Sequence, residues 1–295
     1  MKRLAVVGVE IIHKFIYPGY LNGFDPDLME RYGGWMASLF RGKDPHPMDT
    51  EVRVTAIASP DRQSRDQIAC TTHIDTVAEY VRDLPLDDLD GALIMEGQGW
   101  RHLELARPFL ERGQFVYFDK PVVESHADWK AVRALIDTQG GRVLGGSALR
   151  YSPLAAAMLT ELQARPPVSV VVTGPGPWYT YACHTVELLE MIFGPRVETA
   201  RGIGSDAQGL AVMEWSEGQR GIVQWGSYRG EFRVDAYDRE ENGHRSWIIN
   251  DAQDYYKNLA RAIVDGALGR RHADLEAIEA IVRVLDEVGR SLARS

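Results

Sequence analysis

The feature that most constrains this chain is the alternation, over its first half, of short apolar runs with amphipathic helical patterns. Residues 3–8, 52–58, 91–95, 115–118 and 142–146 are brief, apolar and bounded by glycine or acidic turns. Such runs read as buried strands. Between them, residues 100–112 place Leu103, Ala106 and Leu110 on one face. Residues 125–139 start on a capping Ser125, carry Asp128 at the capping-box spacing, and stop at Gly140-Gly141. Strands separated by helices pair in parallel, so the expected first domain is α/β with a doubly wound parallel sheet.

The second half changes character. Residues 168–173, 197–203, 209–215, 221–228 and 232–237 are strand-like, and turns such as Ser216-Glu217-Gly218 join them closely. That spacing predicts an antiparallel meander. Two strong helical patterns accompany it, one following Thr180 and one over 273–292, where Leu275, Ile278, Ile281, Val282, Leu285 and Val288 form a stripe. The expected division is residues 1–149 and 150–295, with an insertion at about 25–50.

Charge and cysteine content narrow the function classes. Lys plus Arg total 33 against 42 Asp plus Glu, a net charge of −9. Nucleic-acid binders carry a basic footprint, so no nucleic-acid partner is expected. No apolar run approaches the ~18 residues of a membrane span. Lys2-Arg3 precede only a short apolar run, unlike a secretory leader. Cys70 and Cys183 make no disulfide scaffold, and a cytoplasmic location is the simplest expectation.

Four segments carry candidate chemistry. After the first strand, a dinucleotide turn would need glycines at positions 8, 10 and 13; Gly8 is present, but Glu10 and His13 occupy the others. These residues fit either a remodelled phosphate turn or a packing turn that binds nothing. After the second strand stands Ser59-Pro60-Asp61-Arg62. Ser59 with Arg62 suits a ribose phosphate, and an ordinary solvated turn is the alternative. Asp119-Lys120-Pro121 closes the fourth strand at the edge where open α/β sheets bind ligands, so Lys120 fits either a group that orients a substrate oxygen or an ordinary surface lysine. Finally, His184 lies near a helix start, where the dipole favours a neutral imidazole able to accept a hydroxyl proton; a satisfied structural histidine is the alternative. His184 and Glu187 alone make no convincing metal site, so no metal is expected.

The order and spacing of these segments resemble the Gfo/Idh/MocA family of NAD(P)-dependent oxidoreductases. The likeness is best from Leu89 to Pro153, through Trp100-Arg101-His102, Asp119-Lys120-Pro121 and Gly146 to Pro153. It implies a Rossmann-type domain followed by a C-terminal α+β domain whose mainly antiparallel open sheet forms a homodimer or homotetramer interface. It implies NAD or NADP held by Gly8, Val9, Glu10, Ser59, Arg62, Glu96, His102, Asp119 and Lys120. Lys120 would face substrate and nicotinamide, and His184 would be the general base. Thr180 stands where the family has a catalytic aspartate. Arg150 matches an arginine before the domain junction, and Tyr151, Trp178 and Tyr181 are candidate pocket aromatics or core residues.

The function so implied is oxidation or reduction of a sugar, cyclitol or related polyol. Glu10, His13 and Thr180 motivate an alternative, a non-catalytic member that binds a ligand or serves as a partner subunit. A third reading is a redox-neutral lyase, epimerase or glycosidase that recycles a bound nicotinamide.

Overall fold

The computed structural model describes residues 1–11, 13–226, 230–239 and 243–292. The chain opens with β1 (Lys2–Val7), α1 (Ile16–Asn22), α2 (Pro26–Tyr32), α3 (Ala37–Phe40), β2 (Val52–Ala58), α4 (Arg62–Thr71) and β3 (Thr76–Ala78). It continues with β4 (Gly91–Ile94), α5 (His102–Leu110), β5 (Phe115–Phe118), α6 (His126–Gln139) and β6 (Arg142–Gly145). The second half holds α7 (Pro153–Ala164), β7 (Ser169–Pro175), α8 (Trp178–Phe193), β8 (Val197–Gly204), β9 (Gly209–Trp215) and β10 (Arg220–Gly226). It ends with β11 (Phe232–Tyr237), β12 (His244–Ile249), α9 (Ala252–Ala267) and α10 (Leu275–Leu292).

Two compact units result. The first comprises Met1–Asp119, Lys130–Gly145 and Tyr256–Ala273; the second comprises Lys120–Trp129, Gly146–Tyr255 and Asp274–Ser295. The expected division at 149/150 lies beside the Gly145/Gly146 crossing. Two shorter stretches change units, which a linear reading of hydrophobic pattern does not register.

In the first unit the strands run in the order β3-β2-β1-β4-β5-β6, all parallel. This is the Rossmann-type sheet expected from the alternation. Chain order reverses beside β1, so the β1 and β4 ends flank the topological switch point. All four β4 residues and all four β5 residues are buried, as strands covered on both faces must be. The insertion packs against α1: a Cβ on Gly19 would stand 2.9 Å from Phe40 Cζ, and the Tyr20 and Phe24 rings lie 5.0 and 4.8 Å from that of Phe40. It therefore gives α1 an apolar cover, which explains why six of that helix's seven residues are buried.

In the second unit the order is β12-β11-β7-β10-β9-β8. The sheet is mainly antiparallel, with one correction to the expected meander: β7 and β10 pair in parallel. α8 and α10 cover one face, where Trp178, Leu188, Leu189, Val284 and Val288 meet Val170, Val172, Val223 and Val234 in one core. The helices α7 and α9 and the short strands β3 and β12 are additions to the expected elements. The 221–228 strand is seen to Gly226; its expected end at Tyr228 lies outside the described residues.

Candidate functional site

In the first unit the site is built at the carboxyl ends of β1, β2 and β4. Gly8 has φ +80°, and a Cβ there would stand 3.0 Å from the Glu96 backbone nitrogen, so only glycine fits. A cleft of about 280 Å³ opens between Gly8, Ser59, Tyr80, Arg82, Glu96 and Arg101. Arg82 lies over the Tyr80 ring, 4.3 Å from its centre. Sequence reasoning missed Tyr80, Arg82 and Arg101. The three-residue β3 is too short to read as a strand, so the turn at its carboxyl end goes unmarked.

The turn after Gly8 departs from a phosphate-cradling one. α1 begins only at Ile16, without a side-chain cap, so no helix N-terminus immediately follows the glycine. Val9 is buried, while Glu10 is exposed. A hydrogen bond with the Glu96 side chain, with burial and the Glu96 charge adding to it, pushes the Glu10 carboxyl above the usual carboxylate range. Glu96 is itself 2% exposed and accepts from Arg101 Nη1 and Gly97 N–H, each at 2.9 Å. His102 Nε2 lies 2.9 Å from the Glu96 carbonyl, and its ring stacks near Phe118. Both residues therefore shape the end of β4.

His13 does not obstruct the turn; it points into the unit. Its Nδ1 is 2.8 Å from Asp119 Oδ2 and its Nε2 is 2.9 Å from the Tyr256 hydroxyl. The Tyr117 hydroxyl lies 3.3 Å from Asp119 Oδ1 and 3.2 Å from the Tyr17 hydroxyl. The unusual residues at positions 13 and 119 are thus partners in one buried polar network. Nothing in the sequence pairs them across 106 positions.

At the tip of β2, Ser59 Oγ accepts the Asp61 N–H at 3.2 Å, and Asp61 caps α4 by accepting the Ser64 N–H at 3.1 Å. Those bonds to Ser64 hold Asp61 below the usual range. The Arg62 side chain is 86% exposed and pairs with Asp66 at 3.5 Å. These residues fit the nucleoside half of a dinucleotide. Toward the phosphates, the Glu10–Glu96 pair admits an anion best when Glu10 carries its proton.

In the second unit, Lys120 is 4% exposed and precedes a cis peptide bond to Pro121. Its Nζ donates to the Thr180 carbonyl at 3.1 Å and stands 4.9 Å from the centre of the Tyr181 ring. Thr180 thus contributes backbone, and its residue is exposed. His184 is 7% exposed, with its ring centre 5.9 Å from Tyr181 and 5.1 Å from Phe232. Because α8 starts at Trp178, His184 sits in its second turn, where the dipole's influence has faded. The ring is held instead by Ser147, whose Oγ is 2.6 Å from Nδ1.

Ser147 is placed by an acidic, buried stretch of α8. Its N–H donates to Glu187 Oε2 at 2.6 Å. Gly146, at φ +107°, makes room for that carboxylate; a Cβ there would stand 2.8 Å from Glu187 Oε2. Arg150 donates Nε to Glu187 Oε1 at 2.6 Å and Nη2 to Glu190 Oε2 at 2.5 Å. Burial pushes Glu187 above the usual range, against the opposing pull of Arg150. Burial also disfavours the guanidinium, but the two glutamates outweigh it and raise its pKa. Arg150 therefore spends its fork on these carboxylates. Trp178 is a core residue, 1% exposed, donating Nε1–H to the Leu285 carbonyl at 3.2 Å. Tyr151 is half-buried on the turn after Ser147. Among the described residues, no group of three or more His, Cys, Asp or Glu is placed to hold a metal ion. No described helix is long and apolar enough to cross a membrane.

Comparison with known proteins agrees with this architecture. Residues 33–147 match the Gfo/Idh/MocA family model, described as "Oxidoreductase family, NAD-binding Rossmann fold". Among solved structures, scyllo-inositol dehydrogenase from Lactobacillus casei, with bound NAD(H) and scyllo-inositol, has a TM-score of 0.76 at 12% identity. That match covers 100% of this chain and 97% of the other. A myo-inositol dehydrogenase from Corynebacterium glutamicum ATCC 13032 gives 0.75 at 14% identity, covering 100% and 97%. The 3-ketoreductase KijD10 from Actinomadura kijaniata, in complex with TDP-benzene and NADP, gives 0.72 at 14%, covering 97% and 96%. At these identities the likeness establishes the fold. No curated protein sequence matches this one.

Proposed function

We propose that this chain, which matches the Gfo/Idh/MocA oxidoreductase family model over residues 33–147, belongs to that family and is an NAD(P)-dependent oxidoreductase of a sugar, cyclitol or related polyol. The observation that carries the reading is a buried lysine and a buried histidine grouped about one aromatic ring. Lys120 Nζ lies 4.9 Å from the Tyr181 centre, and the His184 ring lies 5.9 Å from it. An ammonium at Lys120 stabilises negative charge developing on a substrate oxygen. His184 supplies the second polar contact to that oxygen, and Tyr181 adjoins both.

The nicotinamide, when bound, supplies or accepts the hydride. Gly8, Ser59 and the cleft beside Arg101 would hold the nucleotide, and the exposed Arg62 beside a strand tip whose carboxylate is already bonded favours NADP over NAD. The polyol or sugar class is carried over from the names of the structural neighbours.

The test is a screen of inositols, sugars and their keto forms with NAD(H) and NADP(H), followed by Lys120→Ala. The proposal expects turnover with at least one pair and its loss in the variant. Unchanged turnover in Lys120→Ala would remove Lys120 from the chemistry.

One observation favours a second reading, a binding or partner subunit without hydride chemistry: the paired carboxyls of Glu10 and Glu96 at the phosphate turn. Absence of dinucleotide binding would select it. For assembly, the proposal places a homodimer or homotetramer on the sheet face opposite α8 and α10. There Ile203 (69%), Leu210 (39%) and Ile248 (44%) are exposed, while by strand alternation their neighbours face the core. A monomeric mass at micromolar concentration contradicts that assembly.

A further inference from the structure

We infer that Ser147 is the positioning residue of His184, and that it sets the ring's tautomer so that the neutral imidazole carries its proton on Nε2. The inference rests on the proposed function only for its consequence; the hydrogen bonds that carry it lie within the second unit alone.

One buried hydroxyl decides the matter. Ser147 has no exposed surface. A serine hydroxyl offers one O–H donor and two acceptor lone pairs. One lone pair takes the Leu149 N–H at 3.1 Å. Among the described residues, the remaining partner of Ser147 Oγ is His184 Nδ1, at 2.6 Å. Leaving a buried O–H without an acceptor forfeits its hydrogen bond to water with nothing in exchange. The proton therefore goes to Nδ1, which must then be the unprotonated nitrogen, and the neutral ring carries its hydrogen on Nε2. The position of Ser147 is itself fixed, because its N–H is held by Glu187 at 2.6 Å and Gly146 lets that carboxylate approach.

The consequence changes the expected role of the histidine. A neutral imidazole that shows N–H to the substrate is a hydrogen-bond donor, suited to hold a substrate oxygen that carries partial negative charge. Accepting a hydroxyl proton at Nε2 would first require the ring to move its proton to Nδ1 and to break the Ser147 donation. His184 thus meets the substrate as a hydrogen-bond donor while neutral, and the general-base role implied by the family resemblance is reversed. Among the described residues, Glu187 and Arg150 lie on the Ser147 side of this pair, and Lys120 packs on the Tyr181 ring, which adjoins that of His184.

The test reads the ring directly, without cofactor or substrate. The protein is labelled with ¹⁵N-histidine, His184 is assigned by its loss in His184→Asn, and two-bond ¹H–¹⁵N spectra are recorded above the ring's titration. The expected result is a pyrrole-type Nε2 and a pyridine-type Nδ1. In Ser147→Ala the tautomer ratio is expected to fall about fivefold, what a hydrogen bond of ordinary net strength sustains. Ser147→Thr, which keeps the hydroxyl, restores it. A pyridine-type Nε2 in the unaltered protein overturns the inference, as does an unchanged ratio in folded Ser147→Ala. If Ser147→Ala does not fold, the spectrum of the unaltered protein and that of Ser147→Thr still decide. A protein with the expected tautomer but no oxidoreductase activity overturns the proposed function and leaves this inference standing; turnover with the opposite tautomer does the reverse.

Discussion

At the scale of single residues, the departures from a familiar pattern are of two kinds. Glu10 stands two positions after Gly8, where a dinucleotide turn would carry glycine, and its hydrogen bond to Glu96 raises its pKa. A raised carboxyl is neutral at lower pH and becomes charged as pH rises, so dinucleotide affinity should fall as pH climbs through its titration. Glu10→Gln should remove that dependence and tighten binding about fivefold, equivalent to the ~1 kcal/mol two unit charges exert across ~4 Å of water. Calorimetric titration at several pH values checks both. His13 is of the other kind, a residue whose partner, Asp119, no local pattern reveals. Arg150 was legible as special and given a ligand's role by resemblance. Its partners in the structure, Glu187 and Glu190, lie about 40 positions away, and no local pattern links them to it. Arg150→Met leaves both carboxylates buried without their cation and should cost about 3–5 kcal/mol of stability in denaturant titration.

At the scale of elements, strands β1, β2, β4, β5 and β6 and helices α5, α6, α8 and α10 were readable because period and punctuation agree. The stripe of α9, with Tyr256, Leu259, Ala260, Ile263 and Val264 buried, has helical spacing of the same quality. It follows a strand-rich region and escapes a reading that looks for a meander. The parallel pairing of β7 with β10 was not legible, since pairing direction depends on where the intervening chain returns. The insertion had no assigned role in the sequence; its structure makes it the cover of α1. Phe40→Ala should therefore destabilise the protein by about 3–5 kcal/mol, as truncation of a buried aromatic does, and a denaturant midpoint shift reads it. An unchanged midpoint would mean that the insertion packs loosely.

For the whole molecule, the sequence conveyed the two kinds of sheet and their order along the chain. It did not convey which short stretches change units, because those exchanges are decided by packing. An excess of acid, net −9, also makes pH a global variable. Asp286 is held below 3.8 chiefly by Arg290, helped by the His126 N–H and opposed by burial; Asp61 is held below 3.8 by Ser64. Carboxylates lowered in the folded state add stability above their unfolded value and lose it as pH falls through the folded one. These lowered carboxylates should therefore make the melting temperature drop as pH falls below about 4. Asp286→Asn should flatten that acid limb, because it removes a carboxylate that titrates there.

The central claim is that this fold still serves a nicotinamide cofactor despite its altered turn. Isothermal titration of the purified protein with NAD(H) and NADP(H), after absorbance has shown that none co-purified, tests it most directly. The account predicts micromolar or tighter binding of at least one cofactor, with NADP(H) favoured over NAD(H). A folded protein that gives no binding heat with any of them would contradict it and assign the chain to ligand or partner binding.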